Sequence, residues 1–235
     1  MPLLDPFRPP LSEHRSWESF LTSWVVALCD RINAIVPRSQ YFAEVQARLG
    51  SRVEADVSEF DNRVVSGLEG NLEIIDSLAE AALVMPAVYP DVFEVALKDG
   101  SGGEIRVVAV IELVSPGNKD RPATRKAFAA KCAAYLQGGI GVMVVDIVTE
   151  RTANLHNELI DAMMLSNDYY GPGEPIYTAS YHPVRRDSKD GIDVWLSGLH
   201  VGGDLPTMPL FLRGGPVLGI PLDETYARAR RGSRL

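Results

Sequence analysis

Asp91 to Ser115 reads D-V-F-E-V-A-L-K-D-G-S-G-G-E-I-R-V-V-A-V-I-E-L-V-S. Two apolar runs rich in β-branched residues flank the Gly-rich stretch 99–103, the pattern of an antiparallel hairpin with strands over 91–97 and 104–114. The second run carries one carboxylate, Glu112, among residues that belong in a buried strand. An ionised Glu there loses on the order of several kcal/mol of hydration unless a cation, a metal or a set of donors compensates, so Glu112 needs partners. Antiparallel pairing sets the start of one strand beside the end of the other, which places Asp91 as the expected neighbour. Two close carboxylates repel, and a divalent cation removes the repulsion. Oxygen ligands with room for water point to Mg²⁺ or Mn²⁺, held by Asp91 and Glu112.

Lys119, Arg121, Arg125, Lys126 and Lys131 follow the strand. A helix returning over the sheet can aim Lys131 back at the strand end, so Lys131 is the cation expected nearest the carboxylates. Two acids, a metal and an ammonium suit phosphodiester hydrolysis, in which the metal polarises phosphate and acidifies a bound water while Lys stabilises developing charge. Asp91, Glu112 and Lys131 are then the catalytic residues. The five cations also form a local basic patch able to meet DNA or RNA.

Working outward, Trp17, Phe20, Leu21, Trp24, Val25, Leu28, Ile32 and Ile35 recur at helical steps and stop at Pro37. Tyr41, Ala43, Val45, Ala47 and Leu49 alternate with Glu44, Gln46 and Arg48, a half-buried strand. Residues 51–71 read as an edge strand or loop, and 72–88 carry no clear pattern. Pro122 can open a helix that runs through Lys131, Cys132 and Tyr135 to Gly138-Gly139, and the buried strand G-V-M-V-V-D-I-V (141–148) follows. Beyond it, 154–165 reads as a short helix, 176–181 and 192–197 as a strand pair, 202–221 as loop and 228–235 as a frayed end. The order is α/β, a mixed central sheet flanked by helices.

The chain has 235 residues, 46% hydrophobic, with 23 basic and 31 acidic side chains for a net charge of −8. This fits one domain, with a core over about 14–150 and 151–235 as a C-terminal extension packed on it. The charge argues against a protein that coats nucleic acid nonspecifically. Two cysteines, Cys29 and Cys132, exclude a disulfide framework, and a reduced, cytoplasmic setting is expected. No export signal and no apolar run of ~18 residues is present, so no membrane association is expected.

Pro90-Asp91, Glu112-Leu113-Val114-Ser115-Pro116, Lys131 with Tyr135, Gly139 and Val145-Asp146 occur in an order that resembles the Uma-two family. That family shows P-D, E-V-x-S-P, K-x-x-x-Y and a V-D strand end. It is regarded as a branch of the PD-(D/E)xK nuclease superfamily in which the lysine two residues after the acid has moved onto the helix. Val114 stands at the old lysine position, so the resemblance implies Lys131 as the replacement, with Ser115, Tyr135 and Asp146 as supporting residues. A second resemblance covers nearly the whole chain and is to the domain of unknown function 4058 family. It rests on D-P-F (5–7), W-x-x-F (17–20), Pro37, Tyr41, V-I-E-L-V-S-P-G-N-K (110–119), D-V-W-x-x-G-L (193–199) and I-P-L-D (220–223). Together these imply a restriction-endonuclease-like αβββαβ core with extra C-terminal strands. Gln46 departs from the family, which has Glu there, and leaves Glu44 as the substitute acid.

Blander readings compete. Glu112 can pair with an Arg in a purely structural or oligomer-forming protein, a homodimer included. The fold can also survive as a catalytically inactive module that binds nucleic acid or protein. Ser115 lacks a nucleophile elbow and a His partner. His14, His156, His182 and His200 lack ligand spacing for zinc. Gly138 to Gly141 follows a helix and precedes a strand, which is a helix end rather than a phosphate loop. Trp195 reads as a core aromatic.

Overall fold

The structure, a computed structural model, describes residues 2–49, 89–171 and 173–231. The segments expected over 51–71 and 72–88 lie outside these residues. After a single helical turn α1 (Leu11–His14), the elements run α2 (Trp17–Ile35), β1 (Tyr41–Arg48), β2 (Val92–Asp99), β3 (Arg106–Leu113), α3 (Pro116–Asp120), α4 (Pro122–Gln137) and β4 (Gly141–Asp146). Then come α5 (Leu155–Ala162), a 3₁₀ turn (Asn167–Tyr169), β5 (Tyr177–Arg186), β6 (Lys189–Gly198), β7 (Thr207–Phe211), β8 (Val217–Pro221) and α6 (Leu222–Arg231). The protein is mixed α/β. Its six-stranded sheet has the order β1-β2-β3-β4-β5-β6, antiparallel except for the parallel β3–β4 pair.

Helix α2 starts where Ser16 caps Ser19 N–H and ends before Pro37, whose ring disfavours helix at Val36. Its apolar stripe covers one face of the sheet, with Trp17 edge-on to Phe93 at 6.0 Å. Helix α4 covers the other face. Pro122 opens it, and Gly139, at φ 74, ends it in the left-handed turn that favours glycine. The parallel β3–β4 pair needs a crossover, and α3 with α4 supplies it.

The C-terminal part corrects two expectations. Residues 202–221 hold the β7–β8 hairpin, in which Met208, Leu210 and Ile220 are buried. The sequence from 228 begins inside α6, whose Leu222, Tyr226 and Ala229 face inward at helical spacing. This helix packs on α2, where Trp24 Nε1 donates to Thr225 Oγ1 at 3.0 Å and the Trp24 and Tyr226 rings meet edge-on at 5.3 Å. Tyr226 in turn closes the amino-terminal arm: its hydroxyl accepts from Leu4 N–H at 3.0 Å and donates to Leu4 C=O at 2.9 Å. Leu3 pairs its N–H and C=O with Gly203 and Gly202. One contiguous apolar core therefore runs from Leu3 through the sheet to Ala229. We expect Trp24→Phe to lower stability by about 1–2 kcal/mol in urea denaturation, from the lost hydrogen bond and lost volume.

Both cysteines are buried free thiols. Among the described residues no helix is long and apolar enough to cross a membrane. Trp195 is 40% exposed and lies against Phe211 at 4.4 Å, so it borders the core rather than filling it.

Candidate functional site: a buried Glu94, Glu112 and Lys131 cluster

Strands β2 and β3 set Glu94 directly opposite Glu112, and both side chains point to the face under α4. Residues 1% exposed, they are carboxylates inside an otherwise apolar layer. On α4, Lys131 and Tyr135 stand one turn apart and both reach the pair. Lys131 Nζ lies 2.6 Å from Glu112 Oε1 and 3.7 Å from Glu94 Oε2. Tyr135 donates its hydroxyl to Glu94, 3.0 and 3.2 Å from the two oxygens. The Lys131–Glu112 contact is a close, buried ion pair through Oε1, and Glu112 Oε2 is buried with no donor among the described residues.

Burial pushes the Glu112 carboxyl up, to about 8; Lys131 pulls it back and Glu94 adds to the rise. Burial lowers the Lys131 ammonium, but Glu112 more than reverses this, and its net direction is upward. Burial and the neighbouring Glu94 raise the Tyr135 phenol, so it remains a donor. Burial raises the Cys132 thiol beneath the cluster, with Glu112 adding to it.

Glu94 is the residue that the sequence reading passed over. Expected beside Glu112 was Asp91, but three more register steps from the Glu94–Glu112 pair set Asp91 across from Ser115. There Ser115 donates to Asp91 Oδ2 at 2.6 Å and Asn118 Nδ2 to the Asp91 carbonyl at 3.0 Å. Ser115 and Asn118 also form a capping box around α3. The S-P-G-N run thus locks the end of β3 to the start of β2. Gly117 belongs to the lock, because a Cβ there would come within 2.3 Å of Asp91 Oδ2. Gly117→Ala should therefore cost about 1–3 kcal/mol, read by thermal unfolding.

The other expected supports scatter. Gln46 is in register with Glu94, on the same row, but exposed. Glu44 sits two positions along the strand and pairs with Lys98 at 2.5 Å. Asp146, fully buried, pairs with Lys119 at 2.8 Å. Burial raises its carboxyl to about 6 against the pull of Lys119. Lys119 Nζ also reaches the carbonyls of Pro175 and Val148 at 2.9 and 3.3 Å, so three acceptors surround it. This removes Lys119 from the expected surface patch. Arg125 pairs with Glu158 at 2.6 Å and Lys131 points at the carboxylates, which leaves Arg121 and Lys126 as the exposed cations of the five.

His156, expected as a surface or hydrogen-bonding residue, is the second: it is buried, with Nε2 3.0 Å from the Tyr169 carbonyl and Nδ1 2.7 Å from Tyr181 Oη. A carbonyl only accepts, so Nε2 carries the proton and Tyr181 donates to Nδ1. This pair borders a cavity of about 1060 Å³ over α5 and β5–β6, lined also by Leu159, Met163 and Leu196. None of Glu94, Glu112, Lys131 and Tyr135 lines that cavity. Among the described residues no group of three or more His, Cys, Asp or Glu side chains is arranged to hold a metal ion. Comparison with family models, with curated proteins and with solved structures finds no match for this chain.

Proposed function

We propose that the chain is a Mg²⁺- or Mn²⁺-dependent phosphodiesterase of the restriction-endonuclease-like PD-(D/E)xK class, close to the domain of unknown function 4058 and Uma-two families. The observation that carries this reading is the pairing of Glu94 and Glu112 across the hairpin, with a single lysine to neutralise them. The order α2-β1-β2-β3-α4-β4 is compatible with the αβββαβ core.

The residues fit a divalent ion. Mg²⁺ in phosphoryl chemistry takes one or two carboxylates and completes its shell with water and substrate oxygens. Glu112 Oε2 is buried with no donor among the described residues, Oε1 has only the exchangeable Lys131 ammonium, and Glu94 faces Glu112 from the next strand. Glu94 accordingly replaces Asp91 in the expected ligand pair, while Asp91 holds the β3 end in place through Ser115. A metal bound here supplies charge neutralisation at a phosphate and acidifies a coordinated water. Tyr135 fixes the Glu94 carboxylate by donating to it. Lys131 offers an ammonium to the developing negative charge.

Purified protein with Mg²⁺ or Mn²⁺ is expected to cleave DNA or RNA, and Glu112→Gln to slow cleavage by about 100-fold or more. Absence of cleavage on supercoiled DNA, single-stranded DNA and RNA, or full activity in Glu112→Gln, would overturn the reading. Gln46, a neutral residue on the ligand row, favours a second reading, a catalytically inactive module that meets nucleic acid or protein near Arg121 and Lys126. It requires binding that needs no metal and survives Glu112→Gln.

A further inference from the structure

We infer that the Lys131 ammonium is the resident cation of the Glu94–Glu112 pair and exchanges with the divalent ion, so that metal loading turns the lysine out toward the surface. The inference rests on the metal reading above and adds to it an order of events. Metal enters first, and the phosphate-binding lysine is released by that entry.

Three observations carry it. The first is position: Nζ lies 2.6 Å from one carboxylate and 3.7 Å from the other, where a shared cation would sit. The second is charge. The ammonium already serves as the counter-ion of the carboxylate pair. A divalent ion added with Lys131 still in place would stand within ion-pair distance of another cation. Repulsion grows with the product of the charges and with the low polarity of a buried site, so the ammonium is the group that yields. The third is cover. The Lys131 side chain is 21% exposed, against 2% and 1% for Glu94 and Glu112, so it lies between the carboxylates and solvent.

The lysine can move without its helix. Phe128, Ala129 and Cys132 on either side of it are buried and hold α4 to the sheet. The ammonium is held by the Glu112 ion pair, the contact a divalent ion would take over, and its other close neighbour is the Phe128 ring, 5.5 Å from Nζ. Four methylenes give it reach. Turned outward it stands at the mouth of the site, where an anionic phosphate would arrive. One event then strips the carboxylates of their counter-ion, opens them and presents a cation to substrate. Without metal the site is closed and largely neutralised.

The test uses Mn²⁺ alone on the full chain. By titration calorimetry Lys131→Met is expected to bind Mn²⁺ about tenfold more tightly than the wild type, a coupling of ordinary size. Glu112→Gln is expected to abolish binding in both backgrounds. A second measurement needs no variant: acetylation of Lys131 by an N-hydroxysuccinimide ester, followed by mass spectrometry of its peptide, should run several-fold faster at saturating Mn²⁺. Wild-type binding that Lys131→Met leaves unchanged or weakens overturns the exchange but leaves the metal reading standing. Acetylation that Mn²⁺ leaves unchanged or slows does the same. If neither protein binds Mn²⁺, both readings fall. Binding by Lys131→Met alone supports the exchange.

Discussion

Lys119→Met is expected to lower the stability of the fold by about 3–5 kcal/mol, a fall in melting temperature of about 10 °C for a chain of this size. Lys119 and Asp146 are both fully buried and 2.8 Å apart. Methionine matches the length of lysine but leaves the Asp146 carboxylate with one remaining partner, the Val148 N–H at 3.0 Å. Two carbonyls, of Val148 and Pro175, lose their donor at the same time. The cost arises from stranded polar groups, not from a large net value of the ion pair. It follows that Lys119→Met with Asp146→Leu should recover at least half of the loss. A double variant as unstable as the sum of the single ones would show that the two residues do not act as a pair.

The second large effect is a pH dependence. Burial raises the folded carboxyl of Glu112 from 4.5 to about 8. A raised folded value means that the native state keeps a proton which the unfolded chain has released. Its contribution is therefore complete below about 4.5 and is lost as pH rises through about 8. Glu112→Gln carries a neutral amide at every pH and lacks this slope. Relative to that variant, the wild type should lose about 1.4 kcal/mol per pH unit across the window and then level off. Denaturant titrations at pH 5, 6, 7, 8 and 9 measure it. Parallel pH profiles for the two proteins would show that Glu112 is ionised throughout.

Much of this was legible in the residues, and the failures have identifiable causes. Helix α2 could be read because its apolar steps and Pro37 agree. The hairpin was equally clear, but its register was not. A bulge between Leu97 and Lys98 shifts the pairing, so Lys98 faces Val107 where an unbroken ladder would give Val108. Counting back from the Gly-rich turn therefore does not lead to Glu94. The available signal was local: Glu94 stands between Phe93 and Val95, as Glu112 stands between Ile111 and Leu113. Glu94 was passed over because nothing in the strand itself records that α4 covers that face. Lys119 misled through composition. Five cations in thirteen residues look like a patch, whereas α3 carries Lys119 inward to Asp146. The β7–β8 hairpin was hidden by Pro and Gly, although Met208 and Leu210 keep the period of a strand.

The clasp that ties Leu3 and Leu4 to Gly202, Gly203 and Tyr226 bears on how the protein can be handled. Its four hydrogen bonds reach across the chain from residues 3 and 4 to residues 202–226. A version trimmed to begin at Asp5 would give up that seam and uncover the Tyr226 hydroxyl, although nothing near the acidic cluster had been touched. An affinity tag belongs ahead of Met1 on a spacer, with its cleavage site placed so that Leu3 and Leu4 survive the protease.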